Sequence, residues 1–179
     1  MYGPFGIGAL YGKEALLDAM PPFLGGGDMI SEVSLQEFSV NELPYKFEAG
    51  TPAIAQAVGF AAAADWLDSV DPEALGAYES ALARDFIAAI ECIPGVRILG
   101  SAENRAGIVA FTLEGVHAHD LAAWLDRGEV AVRAGHHCAH PLARRFGIVS
   151  SARASFGAYN LPEDAGLAAS LIARAAEEA

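Results

Sequence analysis

The chain has 179 residues, 53% of them hydrophobic and 19% charged, and a formal net charge of −12. That is room for one ordinary domain or two small ones, with enough apolar content to bury a core without disulfide staples. So acidic a surface repels phosphate backbones and argues against a nucleic-acid partner; the acidity itself serves solubility.

Cys92 and Cys138 are the only cysteines. They make no disulfide framework and suit a reducing, cytoplasmic setting. The start, Met1-Tyr2-Gly3-Pro4, lacks the basic and apolar regions of a signal peptide. The most apolar stretch, Ala53–Leu67, is too short to span a bilayer and carries Gln56 and Asp65, so no membrane partner is expected.

In chain order, Gly6–Tyr11 reads as a short strand with nothing before it to pair with. It is expected to be the edge of a sheet whose other strands lie outside this sequence. A helical turn follows at Lys13–Met20 and stops at Pro21-Pro22. The loop Leu24–Asp28 holds three consecutive glycines, which let a backbone approach a ligand closely. No clear period follows until Phe47. Thr51-Pro52 then gives a helix start, a hydroxyl N-cap and a proline. The helix runs to about Ser69. Its apolar residues go nearly all the way round, which predicts a mostly buried element.

Asp71-Pro72-Glu73 repeats the start signal. Tyr78, Leu82, Phe86 and Ile90 then form an apolar stripe at four-residue spacing. Cys92 continues this apolar pattern and is expected to be a buried small hydrophobe. Pro94-Gly95 ends the helix. Val96–Leu99 and Ile108–Leu113 read as strands. His119–Asp126 reads as a helix with Leu121, Trp124 and Leu125 on one face. Val130–Arg133 reads as a strand, Gly135–His140 as a loop, and Pro141–Phe146 as a short helix. Ala152–Phe156 is a further strand, and Pro162 opens a last helix with Leu167, Leu171 and Ile172 inward. The pattern shifts near Val70, which predicts two parts: residues 1–70, and a two-layer α/β unit at 71–179.

The densest chemistry lies in Arg133-Ala134-Gly135-His136-His137-Cys138-Ala139-His140-Pro141. A cysteine between histidines, near arginine and after glycine, sits where a thiolate is favoured, which suits nucleophilic sulfur chemistry. The same residues leave two other readings open. His136, His137, Cys138 and His140 could serve as zinc ligands, making the chain a stand-alone metal- or sulfur-binding module, although adjacent ligands seldom close a tetrahedron. The stretch could also be a polar loop without a role. His117 and His119 are expected to supply polarity at a helix start.

Five segments, in order, resemble the SUF-type (group II) cysteine desulfurases and the related selenocysteine lyases. They are YGPFGIGALYGK from Tyr2, GGGDMI from Gly25, FEAGTP from Phe47, RAGHHCA from Arg133 followed by Pro141, and ARASFGAYN from Ala152. The resemblance implies an α/β fold: the C-terminal part of a fold-type I pyridoxal phosphate (PLP) enzyme, with 1–70 a remnant of the large cofactor domain and 71–179 the small domain. It implies a homodimer that converts L-cysteine to L-alanine. The sulfur would pass to Cys138 as a persulfide and on to an acceptor protein of the SUF system for iron–sulfur cluster assembly.

By the same resemblance Arg153 holds the substrate carboxylate, with Arg133 in support. His136 and His137 shape the cysteine loop. Gly25 and Thr51 reach the partner subunit's PLP phosphate. The family's Schiff-base lysine would stand immediately before the segment matched by Met1, and neither Lys13 nor Lys46 corresponds to it. The chain is therefore expected to be a fragment, inactive on its own. Selenocysteine as substrate is the alternative within the family.

Overall fold

The computed structural model describes residues 2–100 and 105–178. The chain forms two compact units, Met1–Ser69 and Val70–Ala179.

The first unit contains α1 (Glu14–Ala19), β1 (Ile30–Val33), β2 (Phe38–Val40) and α2 (Ile54–Ser69). The segment without a readable period folds into an antiparallel hairpin, Ile30 opposite Val40 and Val33 opposite Phe38. Ser34 makes its turn: the hydroxyl accepts from the Glu37 N–H at 3.0 Å and the Gln36 N–H at 3.3 Å. Serine turns of this kind carry no glycine or proline signal, so periodicity misses them.

The expected strand at Gly6–Tyr11 is absent. Its Leu10 and Tyr11 are 86% and 93% exposed, and no strand among the described residues pairs with it. Apolar character without a ladder partner makes no strand.

Helix α2 differs from expectation twice. Its first helical bond runs from the Ala57 N–H to the Ala53 carbonyl, so Thr51 lies ahead of the N-cap position. It also buries none of its residues, and Ile54 and Val58 are 65% and 69% exposed. An all-round apolar helix requires neighbours on every side, and the described residues of this unit do not supply them. Lys46, only 7% exposed, donates from Nζ to the Asp18 and Leu17 carbonyls at 2.6 and 3.4 Å. It closes the C-terminal end of α1, where carbonyls lack helical partners and attract a cation.

The second unit contains α3 (Pro72–Ile90), β3 (Val96–Ile98), β4 (Ile108–Leu113), α4 (Ala118–Arg127), β5 (Arg133–Gly135), α5 (His140–Phe146), β6 (Ser151–Ser155) and α6 (Pro162–Glu177). The strands form one antiparallel sheet in the order β3-β4-β6-β5. Alternate residues of β4 and β6 (Val109, Phe111, Leu113, Ala152 and Ala154) enter a core with Phe86 and Ile90 of α3, Leu121 and Leu125 of α4, and Leu171 and Ile172 of α6. Period-2 burial on the strands and helical-period burial on the helices meet in one layer, as the sequence pattern requires. Asp71 caps α3, accepting from the Glu73 N–H at 2.9 Å and the Ala74 N–H at 3.4 Å.

Four local expectations in this unit need correction. Cys92 is exposed: α3 ends at Ile90, so residue 92 leaves the buried stripe. Strand β5 begins at Arg133 rather than Val130, because the chain leaving α4 turns back, with the Val130 N–H bonded to the Leu125 carbonyl. Helix α5 opens at His140, one residue before Pro141. Leu167 faces outward, 47% exposed, while Leu171 and Ile172 are buried.

Candidate active site

The opposite face of this sheet carries the chemistry. Across β4, β6 and β5, Ala110 pairs with Arg153, Arg153 with Arg133, and Ser151 with Gly135. Directly paired residues share a face, so these side chains project away from the core. Helix α5 lies over part of this face. Leu142, Ala143 and Phe146 of α5, with Ala110, Ser151, Arg153, His136, His137 and Ala139, line a cleft of about 300 Å³.

The cysteine segment enters this cleft as a tight turn. His137 and Cys138 both hold left-handed backbone, φ 53° and 59°, and the Ala139 N–H donates to the His136 carbonyl at 2.9 Å. Two successive positive φ values within a four-residue hydrogen-bonded turn mark type I′ geometry, which ordinarily selects Asn-Gly. Here neither residue is glycine. Left-handed backbone costs a residue with a Cβ about 1–2 kcal/mol, and such strain collects at functional sites. Cys138 stands at the tip, exposed and free. It is not among the residues lining the cleft, whereas His137 and Ala139 on either side of it are.

Ser151 fastens the turn. It is 3% exposed, and His137 Nε2 lies 3.1 Å from its carbonyl and 3.0 Å from its Oγ. A carbonyl only accepts, so Nε2 carries the proton and donates to it. His137 Nδ1 is then a bare nitrogen, buried and without a partner. Burial is the main cause that holds the His137 pKa below the ordinary imidazole value; the Arg153 charge adds to it, the Ser151 bond opposes it, and Arg133 and His136 add smaller contributions. The imidazole is therefore kept neutral beside two guanidinium groups. Across the turn, the His136 and His140 rings stack at 4.0 Å.

Arg153 is half-buried, and its Nε is buried with no hydrogen-bond partner. Arg133, opposite it on β5, is exposed and does not line the cleft. Like charges paired across strands repel, and no carboxylate bonds to either among the described residues. Sequence reasoning missed Ser151. Its only signal is its place two residues from Arg153, which puts both on one face of a strand. His117 is the α4 N-cap, its Nδ1 accepting from the His119 N–H at 3.3 Å.

In the first unit, the Gly50 N–H donates to the Gly27 carbonyl at 2.8 Å and ties the glycine loop to the segment before Thr51. A Cβ on Gly26 would lie 3.4 Å from the Gly50 nitrogen. Gly25 and Thr51 are both exposed.

A family model for class-V aminotransferases matches residues 1–166. The chain belongs to that family. Within it the relatives are cysteine desulfurases. The chain is 49% identical over 166 residues to probable cysteine desulfurase 2 of Mycobacterium leprae, covering 92% of this chain and 40% of that protein. It is 48% identical over 165 residues to the cysteine desulfurase of Haloferax volcanii, covering 92% and 39%. The crystal structure of the Escherichia coli cysteine desulfurase CsdA matches with a TM-score of 0.92 at 40% identity, over 99% of this chain and 44% of that one.

This class-V aminotransferase chain thus spans about 40% of the length of the relatives it matches. The fold extends to a structure of C-DES with glycine covalently linked to its PLP, at a TM-score of 0.74 and 23% identity. PLP is the cofactor of the cysteine desulfurases in this family. Among the described residues no three His, Cys, Asp or Glu side chains group as metal ligands, and no helix is long and apolar enough to cross a membrane.

Proposed function

We propose that this chain is the C-terminal part of a SUF-type cysteine desulfurase, and that Cys138 receives the sulfur of L-cysteine as L-alanine forms. The observation that carries the reading is the strained, Ser151-fastened turn that holds an exposed thiol beside a cleft lined by Arg153.

The roles follow from the chemistry of the groups. Arg153 offers a planar guanidinium with a buried, unpartnered Nε, and captures the substrate carboxylate as charge-assisted hydrogen bonds. An anion there also relieves the repulsion between Arg153 and Arg133, which supports the carboxylate from the strand alongside. Cys138 attacks the substrate sulfur as thiolate, forming the S–S bond of a persulfide. His136 and His137 shape the turn that aims it. PLP, when bound, supplies the electron sink that takes the pair released by the breaking C–S bond. The Gly25 N–H and the Thr51 hydroxyl are the phosphate donors on this chain. Neither has a hydrogen-bond partner among the described residues, and the tie between Gly27 and Gly50 holds their segments together. They act across a homodimer, toward the partner subunit's cofactor. Residues 1–70 belong to the cofactor domain and 71–179 form the small domain. The enzyme is cytoplasmic, and its sulfur goes to a SUF acceptor protein for iron–sulfur cluster assembly.

The test is alanine formation from L-cysteine by the PLP-loaded enzyme containing this chain, with L-selenocysteine in parallel. Cys138→Ser is expected to abolish turnover of L-cysteine. Retained sulfur transfer in that variant would refute the assignment, and activity confined to selenocysteine would make the enzyme a selenocysteine lyase.

A further inference from the structure

The cleft beside α5 is more apolar than an amino-acid head group requires. Its volume of about 300 Å³ stands at the lower end of the range for small-molecule sites. Leu99, Leu142, Phe146 and Ile148 give it large apolar walls. Small residues keep the space between them open: Ala110 and Gly135 from the sheet and Ala143 from α5. A Cβ built on Gly135 meets nothing within 4 Å. Ala110 pairs directly with Arg153 across β4 and β6, so its methyl group lies beside the base of that arginine side chain. L-cysteine carries only CH2–SH beyond its α-carbon, too little to cover these walls.

Arg153 is the only Lys or Arg among the described residues that line the cleft, and none of them is Asp or Glu. Its Nε is buried without a hydrogen-bond partner. His137, also in the lining, donates from Nε2 to the Ser151 carbonyl. Burial and the Arg153 charge hold its pKa down, so its ring adds no second charge. A guanidinium beside an apolar hollow suits a carboxylate whose remaining atoms are apolar. The anion gains charge-assisted hydrogen bonds, and the tail leaves water. A polar tail would give up its hydration there without finding partners.

We infer that this cleft binds an organic monocarboxylate with a slender apolar tail, the carboxylate on Arg153 and the tail between α5 and the sheet, against Ala110 and Phe146. The inference rests on the proposed role of Arg153 as the carboxylate's partner, and it adds a place for a tail that the substrate lacks. Such an acid and L-cysteine use one guanidinium, so they exclude each other.

The test is calorimetric titration of the protein with straight-chain acids from propionate to octanoate, each beside the alcohol of the same chain length. Charge alone predicts one affinity for the whole acid series. A tail buried in the cleft is expected to tighten binding about two- to fourfold per added CH2, levelling off once the space is filled. The alcohols are expected to bind about tenfold more weakly than the acids. Arg153→Gln should bring the acids down to the alcohols. Ala110→Leu should flatten the chain-length slope while propionate binds as before. Leu142→Gln, at a position 51% exposed, should reduce the slope without disturbing the sheet. In the PLP-loaded enzyme, hexanoate is expected to raise the KM for L-cysteine and leave kcat unchanged. A flat acid series, equal affinity for acid and alcohol, or binding that never saturates overturns the inference. So does a slope that Ala110→Leu and Leu142→Gln both leave unchanged, or a fall in kcat at saturating L-cysteine, since either places the acid elsewhere. A flat series with propionate binding lost in Arg153→Gln would sink the tail site and leave the carboxylate role standing. Failure of the desulfurase reading in the Cys138→Ser assay would leave the slope untouched, so the two failures are distinguishable.

Discussion

At Cys138 the backbone works against the residue it carries. Its φ of 59° and that of His137 at 53° belong to glycine or asparagine by preference. Cys138→Gly is therefore expected to stabilise the second unit by about 1 kcal/mol while removing the thiol. Cys138→Ala, which keeps the Cβ, should give no such gain. Urea unfolding of the three proteins decides it, and equal midpoints for the glycine and alanine variants would mean that the turn stores no strain.

His137 adds a pH dependence whose sign is fixed. Its folded pKa is depressed, by burial first and by Arg153 next, so below the ordinary imidazole value the unfolded chain binds more protons. The stability it contributes is present above the unfolded pKa of about 6.5 and is lost as pH falls from there through the folded pKa. Wild type should thus lose more stability between about pH 7.5 and 5.5 than His137→Gln. A parallel loss in both would show that this imidazole is not held neutral. The same bond gives Ser151 its weight. Ser151→Ala removes one of two acceptors from Nε2 and should speed exchange of the Ala139 amide, the hydrogen bond that closes the turn.

At the scale of elements, what could be read from the sequence divides by whether its cause is local. The Asp71 cap and the Leu82-Phe86-Ile90 stripe are local signals, and α3 appears where they predict it. Asp71→Ala should cost about 1 kcal/mol. Phe86→Ala should cost about 3–5 kcal/mol, since Phe86 is fully buried with edge contacts to Phe111 and Phe156 at 5.7 and 5.6 Å. Thermal melts check both, and a larger effect at the cap than at the core would contradict this packing. The misreadings have non-local causes. Gly6–Tyr11 has strand character but no ladder partner, and α2 has the composition of a buried helix but lies exposed. Val130 and Val132 favour strand by type, yet their segment is claimed by the turn that ends α4. In the candidate site Cys138, its neighbouring histidines, Arg133 and Arg153 were legible as residue types. The left-handed turn and its Ser151 anchor were not, because both depend on β5 and β6 lying in register.

For the whole molecule, composition, exposure and length together bear on one expectation, that these 179 residues alone do not turn over L-cysteine. A lysine that can bond to PLP needs an amino group in the cofactor pocket that is free to lose its proton and attack the aldehyde. The chain has Lys13 and Lys46 for this. Lys46 is buried, and its ammonium is spent on the Asp18 and Leu17 carbonyls at the end of α1. Lys13 is exposed immediately ahead of the same helix. Lys46 stands four residues before Gly50, but no hydrogen bond among the described residues joins either lysine to the Gly27–Gly50 tie. The first unit also exposes Phe5, Leu10, Tyr11, Ile54 and Val58, apolar surface that ordinarily marks a contact with another part of a protein. Purified chain mixed with PLP and L-cysteine is accordingly expected to yield no alanine or sulfide above the level of free PLP, and to self-associate at high concentration. Sulfide release abolished by Cys138→Ser but kept by Lys13→Ala with Lys46→Ala would show catalysis without either lysine. Release lost with Lys46→Ala alone, in protein that still folds, would mean that the bonds to α1 open to free that ammonium. Either result would break the link drawn here between lysine placement and inactivity.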